Sequence, residues 1–144
     1  MKLMVLNGPN INMLGIREPD IYGRTTYADL VGYIQAVCTR EGIEVTCLQS
    51  NHEGQLVDWI QQAYGEMDGI VMNPAAYTHT SVAILDALKA VGLPAVEVHI
   101  SNIYEREEFR HRSYPGMACI KTIYGHGIRG YEEAILFLKD HLSK

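Results

Sequence analysis

The chain has 144 residues, of which 47% are hydrophobic and 20% charged, and its formal net charge is -5. That length suggests one domain, able to bury about two-thirds of its extended-chain surface without disulfides. Twelve basic residues against 17 acidic ones disfavour a nucleic-acid partner, because phosphate binding calls for a basic surface.

The cysteines and the apolar runs bear on the cellular compartment and on membrane association. Cys38, Cys47 and Cys119 are odd in number and lack CxxC spacing, which argues against a disulfide framework and against a zinc knuckle. A reducing, cytoplasmic compartment fits this pattern best. The apolar start, residues 1–6, is too short for a signal peptide, and no stretch approaches the length of a membrane span. We therefore expect a single domain over residues 1–144 and no membrane partner.

Along the chain, short Val-, Ile- and Leu-rich runs alternate with longer segments of helical periodicity, which is typical of an α/β protein with a parallel sheet. Five strands are predicted, at residues 2–7, 43–48, 69–73, 94–99 and 117–124. Side-chain oxygens that can cap helices occur at Thr26, with Asp29 three residues later, and at Asn51 before residues 55–63. The last helix is predicted over residues 131–142.

Polar residues gather where the first, third and fourth strands end, in residues 6–10, 73–81 and 97–102. The carboxyl ends of parallel strands face one edge of the sheet, and ligands bind in the crevice there. The pattern therefore predicts an enzyme-like site at this edge.

Residues 8–25 form a long connection after the first strand and contain Arg17, Glu18 and Tyr22. Connections above about a dozen residues in compact domains are usually functional or mobile, so a lid over a small substrate is a natural hypothesis. Neither GxxxxGK[ST] nor GxGxxG is present, which disfavours nucleotide binding. An ordinary turn remains the alternative for residues 7–12.

Two histidines stand out in the later clusters. In residues 73–81 a hydroxyl from Thr80 or Ser81 is explained as a helix cap, but Asn73 and His79 are not required by that role. In the fourth strand, period-two alternation places Glu97 and His99 side by side on one face. A carboxylate orients an imidazole and favours its protonated form, as a general acid needs, although a purely structural pair is the alternative.

Arg110 follows the fourth strand and suits an anionic or hydroxylated substrate if it lies near the crevice, though surface arginine is the usual case. A metal site is disfavoured. Four histidines lie near strand ends, yet no HExxH or HxH spacing occurs.

Five segments together resemble the type II 3-dehydroquinate dehydratase family. They are LNGPNINMLGIREPDIYG, QSNHEG, NPAAYTHTS, VEVHISN and FRHRSY. Their order and spacing match over nearly the whole chain. The resemblance implies a flavodoxin-like three-layer sandwich with a five-stranded parallel sheet, and conversion of 3-dehydroquinate to 3-dehydroshikimate through an enolate, without cofactor, in the shikimate or quinate pathway.

The resemblance also implies roles for individual residues. Tyr22 matches the base and Arg17 the group that supports it, while His99 matches the acid that protonates the leaving hydroxyl. Glu97 would orient His99, and Asn12 would help hold a water against the enolate. The implied substrate contacts are Asn73, His79, Ile100, Ser101 and Arg110, with Asp86 reaching the site of a neighbouring subunit.

The family forms trimers that assemble into a dodecamer, so self-association is expected. One stretch departs from the family pattern, at residues 115–117 and at Lys121. We expect this departure to affect the wider assembly more than the chemistry.

Two other classes compete with this interpretation. A flavodoxin-like binding module would leave Tyr22, Arg17 and His99 without a joint purpose, and a metallohydrolase would require stoichiometric metal. A lysine Schiff base is disfavoured, because every lysine lies outside the matching segments.

Overall fold

A computed structural model describes residues 1–16, 20 and 24–144, and within these ranges five strands form one sheet. The strands are β1 (Lys2–Asn7), β2 (Glu44–Gln49), β3 (Gly69–Asn73), β4 (Ala95–His99) and β5 (Lys121–Tyr124). The α-helices between and after them are α1 (Tyr27–Glu41), α2 (Glu53–Ala63), α3 (Val82–Val91) and α4 (Arg129–Leu142). The predicted alternation of strands and helices is confirmed.

The sheet has the strand order β2-β1-β3-β4-β5, and every neighbouring pair is parallel. The chain moves from β1 outward to β2 and then returns to the other side of β1 with β3. In open parallel sheets a ligand crevice lies at such a reversal, beyond the carboxyl ends of the strands. The predicted flavodoxin-like five-stranded sheet is therefore confirmed, with its switch point between β1 and β3.

Side-chain alternation along the strands builds a hydrophobic core on each face of the sheet. Leu3 and Val5 face α1 and α4, whereas Met4 and Leu6 face α2 and α3. The first core also contains buried residues of both helices, among them Leu30, Ile34, Tyr131 and Ile135. The second contains Leu56, Ile60, Ile84 and Leu88. The predicted three layers follow from these two faces.

Two predicted helix caps are present and one is wrong. Thr26 and Asp29 form a capping box at the start of α1, and the Ser81 hydroxyl accepts from the Ile84 amide at 2.9 Å. Asn51 does not cap α2, which begins after His52. Instead, the Asn51 side-chain oxygen accepts from the Asn10 amide at 3.0 Å, across the sheet edge. The sequence pattern could not distinguish these two uses of the same oxygen.

The last strand was predicted to start at residue 117, which is wrong, because β5 starts four residues later. Residues Pro115–Ala118 form a 3-10 helix with proline in its first turn, and β5 begins only at Lys121. Proline fixes its own φ at about −65°, which suits the first turn of a helix. The ladder starts after the Ile120 amide bonds the Ala95 carbonyl at 2.8 Å. The last helix begins at Arg129, two residues before its predicted start.

Candidate active site

A crevice of about 210 Å³ opens at the carboxyl edge of the sheet, between the segments that follow β1, β3 and β4. Its lining is Pro9, Asn10, Ile11, Leu14, Asn73, Ala75, Ala76, His79, His99, Ile100, Ser101, Ile103, Arg106 and Arg110. Six of the predicted site residues are in this set: Asn73, His79, His99, Ile100, Ser101 and Arg110. Sequence positions more than 30 residues apart are thereby brought to one cavity.

Close backbone contact joins the segments after β1 and β3. The Gly8 amide donates to the Asn73 carbonyl at 2.8 Å. A Cβ at Gly8 would lie 2.4 Å from the Pro74 carbonyl oxygen, which is shorter than any tolerable contact. Glycine at this position therefore lets the two walls of the crevice approach each other.

Asn73 lies at the floor of the crevice and is held from two sides. Its Nδ2 donates to the Tyr131 hydroxyl at 2.8 Å, and its Oδ1 accepts from the Ala75 amide at 3.0 Å. The fully buried Tyr131 hydroxyl donates in turn to Asn7 Oδ1 at 2.6 Å. These partners fix which end of the Asn73 amide is donor and which is acceptor.

The backbone after β3 adopts an unusual conformation beside Asn73. Ala75 has a φ of 54°, in the left-handed region that a residue with a Cβ seldom occupies. The bond from its amide to Asn73 Oδ1 holds it there. Such strain is concentrated at functional sites, where the surrounding structure enforces it.

Glu97 and His99 form the buried pair that the strand periodicity predicts. Glu97 Oε2 lies 3.4 Å from His99 Nε2, and the two residues are 0% and 5% exposed. Since an ionised carboxylate only accepts hydrogen bonds, Nε2 carries the hydrogen and Nδ1 is the nitrogen left for the crevice. The pair can therefore hold a proton donor with a fixed ring orientation at the cavity wall.

Three hydroxyl groups surround the Glu97 carboxylate. Thr78 donates to Oε2 at 3.0 Å, Ser113 donates to the same oxygen, and Thr122 on β5 donates to Oε1 at 3.2 Å. Burial would raise the pKa of Glu97, but His99 and the Ser113 and Thr78 hydroxyls outweigh burial and hold this pKa below its ordinary value. Glu97 is thus kept charged although it is buried.

His79 presents one nitrogen to the protein and leaves the other for a ligand. Its Nδ1 lies 2.8 Å from the Arg112 carbonyl oxygen, which can only accept, so Nδ1 carries the hydrogen. Burial lowers the pKa of His79, and the charges of His99 and Arg110 act in the same direction against that hydrogen bond. A neutral His79 then offers Nε2 as an acceptor, which suits a substrate hydroxyl.

Two arginines lie in the wall, one predicted and one missed. Arg110 is half-buried, and its Nε forms an ion pair with Glu107. Arg106 also lines the crevice. The only sequence signal for Arg106 was its position in the long connection after β4, where it stands among three glutamates.

Ile100 and Ser101 line the crevice directly after β4. Their carbonyl oxygens accept from the Gly127 and Gly125 amides, both at 3.1 Å. The connection after β5 therefore fixes this backbone from behind.

Asn12 and Asp86 lie outside the crevice lining. The Asn12 side chain is exposed, and its Oδ1 accepts from Gln49 Nε2 at 3.3 Å. Gln49 also donates to the Gly8 carbonyl at 3.1 Å, so it ties the end of β2 to the segment after β1. Asp86 is exposed on α3. Tyr22, the predicted base, and Arg17, its predicted partner, fall outside the described residues. Positions 17–19 and 21–23 of the predicted lid, which spans residues 8–25, also fall outside them.

The described part of the chain contains no group of three or more His, Cys, Asp or Glu side chains placed to hold a metal ion. Within the same ranges, no helix is both long enough and apolar enough to cross a bilayer.

The chain resembles proteins of one family along its whole length. A family model for class II dehydroquinase matches residues 1–139. The chain is 54% identical over 144 residues to a 3-dehydroquinate dehydratase of Clostridium acetobutylicum, covering 100% of both chains. It is 56% identical over 134 residues to a 3-dehydroquinate dehydratase of Corynebacterium glutamicum, covering 93% of this chain and 92% of that one.

Solved structures agree with the sequence matches. The crystal structure of a type II dehydroquinase from Butyrivibrio crossotus superposes with a TM-score of 0.95 at 54% identity, covering 96% of this chain and 97% of that one. A type II dehydroquinase from Propionibacterium acnes gives a TM-score of 0.91 at 43% identity, with coverage of 99% and 97%.

Proposed function

Because the chain belongs to the class II dehydroquinase family, we propose that it removes water from 3-dehydroquinate to give 3-dehydroshikimate. The observation that supports the proposal is that His99 lines the crevice at the sheet switch point and is paired with the buried Glu97, in a chain whose family match spans residues 1–139. The activity follows from membership of the family, whereas the residue roles below are our assignments.

Proton removal is assigned to Tyr22, supported by Arg17. An ordinary tyrosine has a pKa near 10, so ionisation at pH 7 requires roughly 4 kcal/mol of differential stabilisation. A guanidinium at about 4 Å supplies roughly 4 kcal/mol at an effective dielectric near 20, before desolvation is subtracted. One arginine can therefore supply most of what the base requires. The proton comes from the carbon next to the substrate ketone, and the product is an enolate.

His99 is the group that protonates the leaving hydroxyl. Its Nδ1 is the ring nitrogen not engaged by Glu97. Glu97 stabilises the positive charge of the protonated ring because the carboxylate itself stays ionised. When the carbon–oxygen bond breaks, the electron pair of the enolate forms the new double bond, and the hydroxyl leaves as water with the His99 proton.

The enolate oxygen carries negative charge in the intermediate and needs hydrogen-bond donors. We assign Asn12 to this task through a water molecule. The contact from Gln49 to Asn12 Oδ1 leaves the Asn12 amide nitrogen available as a donor.

The remaining crevice residues are assigned to binding. Neutral His79 accepts from a substrate hydroxyl, and Arg110 supplies donors for a carboxylate or hydroxyl group. Asn73 contributes a fixed amide, and the backbone at Ile100 and Ser101 completes the pocket. Each of these groups is held by partners within the protein, which reduces the entropy lost when substrate binds.

This mechanism calls for no metal and no organic cofactor, because tyrosine and histidine supply the two proton transfers and an ordered water stabilises the enolate. A Schiff base would require a lysine at the substrate ketone, and no lysine is among the described residues that line the crevice.

Self-association is part of the proposal. Asp86 lies exposed on α3, away from the crevice of its own subunit, so its assigned role in substrate binding requires a neighbouring subunit. We assign a trimer, assembled further into a dodecamer, because the family resemblance implies both. We also assign the enzyme to the cytoplasm and residues 1–144 to one catalytic domain.

Substituting Tyr22 with Phe separates an enzyme from a binding module. Turnover of 3-dehydroquinate should collapse while equilibrium binding of a substrate analogue largely persists, because the ring remains and only the ionisable oxygen is lost. Tyr64→Phe is the matched control, since Tyr64 is 69% exposed at the end of α2. A Tyr22→Phe protein with full turnover would remove Tyr22 from the mechanism.

A further inference from the structure

The segment that carries Arg110 is fastened to the segment after β3. The Tyr114 amide donates to the Thr78 carbonyl at 2.8 Å, and His79 Nδ1 donates to the Arg112 carbonyl at 2.8 Å. Residues 110–114 therefore cannot move without disturbing the crevice wall that contains His79.

A third attachment joins this segment to the catalytic pair. The Ser113 hydroxyl donates to Glu97 Oε2, the oxygen that also contacts His99 Nε2. The same Ser113 oxygen accepts from the Gly116 amide at 3.0 Å. A hydroxyl has a single hydrogen, and an amide can only donate to it, so the Gly116 contact leaves the Ser113 hydrogen for Glu97.

The turn at residues 113–116 packs closely against the carboxylate. A Cβ at Gly116 would lie 3.0 Å from Glu97 Oε1 and 3.0 Å from Ser113 Oγ. These distances are tighter than ordinary contacts, and one of the neighbours would have to shift. Glycine at 116 therefore allows the turn to reach Glu97, and we call Ser113 and Gly116 the serine–glycine clasp.

We propose that Ser113 is a positioning residue, and that through the serine–glycine clasp it holds both the Arg110 segment and the Glu97–His99 pair in their working geometry. The proposal rests on the roles assigned to Arg110 and His99 above. Ser113 lies three positions after Arg110 in the chain, and a direct hydrogen bond links Ser113 to Glu97. Loss of the clasp should therefore disturb substrate binding and proton donation together.

The clasp also changes what is expected of the stretch that departs from the family pattern. The sequence alone predicts that residues 115–117 affect the wider assembly more than the chemistry. Gly116 is in direct contact with the Ser113 hydroxyl and close to the Glu97 carboxylate, so this departure begins within reach of the catalytic pair.

The test is the steady-state kinetics of Ser113→Ala beside Ser143→Ala, a matched control near the carboxyl end of the chain. The Ser113→Ala enzyme should lose about 10- to 100-fold in kcat/KM, as expected for removal of a hydrogen bond to a buried charge. The loss should be divided between a lower kcat and a higher KM. Ser143→Ala should match the wild type. A protein of unchanged kinetics, or one that does not fold, would overturn the positioning role.

Double variants show whether Ser113 acts through its assigned partners. In an Arg110→Ala background, Ser113→Ala should raise KM no further, and in a Glu97→Gln background its effect on kcat should shrink. Independent, multiplying effects would contradict the proposal. Gly116→Ala should also lower kcat and raise KM, because its Cβ would crowd the Glu97 carboxylate and the Ser113 hydroxyl.

Hydrogen exchange separates this inference from the proposed function. Amides of residues 110–114 should exchange faster in Ser113→Ala than in the wild type, whether or not 3-dehydroquinate is turned over. If the wild-type protein does not turn over 3-dehydroquinate, the proposed function is contradicted and the clasp is not. If amides of residues 110–114 exchange at the same rate in Ser113→Ala and in the wild type, the clasp is contradicted and the proposed function is not.

Discussion

Replacing Glu97 with Gln removes a charge from the catalytic pair while leaving its shape. Glutamine can place its carbonyl oxygen where Oε2 now accepts from Thr78 and Ser113, and its amide group toward Thr122, whose hydroxyl can rotate to accept. His99 Nε2 keeps an acceptor at the same place. The variant therefore tests the charge of Glu97 separately from its geometry.

The expected fall in kcat can be estimated from the contact between Glu97 and His99. Two unit charges 3.4 Å apart interact by about 5 kcal/mol at an effective dielectric near 20, before desolvation is subtracted. Hydrogen bonds to charged groups contribute about 1.5–3 kcal/mol net, which corresponds to about 10- to 100-fold in rate. We therefore expect kcat to fall about 10- to 100-fold, and KM to change less than about threefold because Ser113 keeps its acceptor.

The assay is the steady-state turnover of 3-dehydroquinate. Glu133→Gln is the control, since Glu133 also pairs with a histidine, His126, but both are exposed. A kcat for Glu97→Gln within twofold of wild type would refute the assigned role of the charge.

Two further predictions concern stability. Tyr131→Phe removes a fully buried hydroxyl that bonds Asn7 and Asn73, so the free energy of unfolding in urea should fall by about 1–3 kcal/mol; an unchanged unfolding midpoint would contradict the assigned network. The pKa of His79 is lower in the folded protein than its ordinary value near 6.5, so the unfolded chain takes up a proton first and stability should fall as pH drops below about 6.5. In thermal melts from pH 7 to 5, His79→Gln should flatten that dependence, and an equal slope in both proteins would remove His79 as its source.

Much of the fold could be predicted because the central strands β1, β3 and β4 are buried and nearly continuous in apolar residues. β1 and β3 have the predicted bounds, and the period-two alternation in β4 correctly placed Glu97 beside His99. The start of β5 was wrong because the apolar run around residue 117 resembles a strand, while Pro115 sets a 3-10 turn.

The crevice was predicted only in part, since its surroundings depend on contacts between distant segments. The hydroxyls around Glu97 come from three places, Thr78, Ser113 and Thr122, and each alone resembles an ordinary surface or capping residue. Register supplies one of them, because Thr122 lies opposite Glu97 in the ladder between β4 and β5. Such pairings require the topology and cannot be read from spacing along the chain. The roles of Tyr22 and Arg17 stay predictions.

The most direct test of the central claim is the ultraviolet absorbance of the purified protein mixed with 3-dehydroquinate. Dehydration creates a double bond conjugated with the ketone, so an enone band should grow with time. It should grow equally with a chelator present and after borohydride treatment in the presence of substrate, because the mechanism uses neither a metal nor a Schiff base. Absence of the band from folded protein in its native assembly would contradict the assignment as a dehydratase, and loss of the band with either treatment would contradict the tyrosine and enolate mechanism.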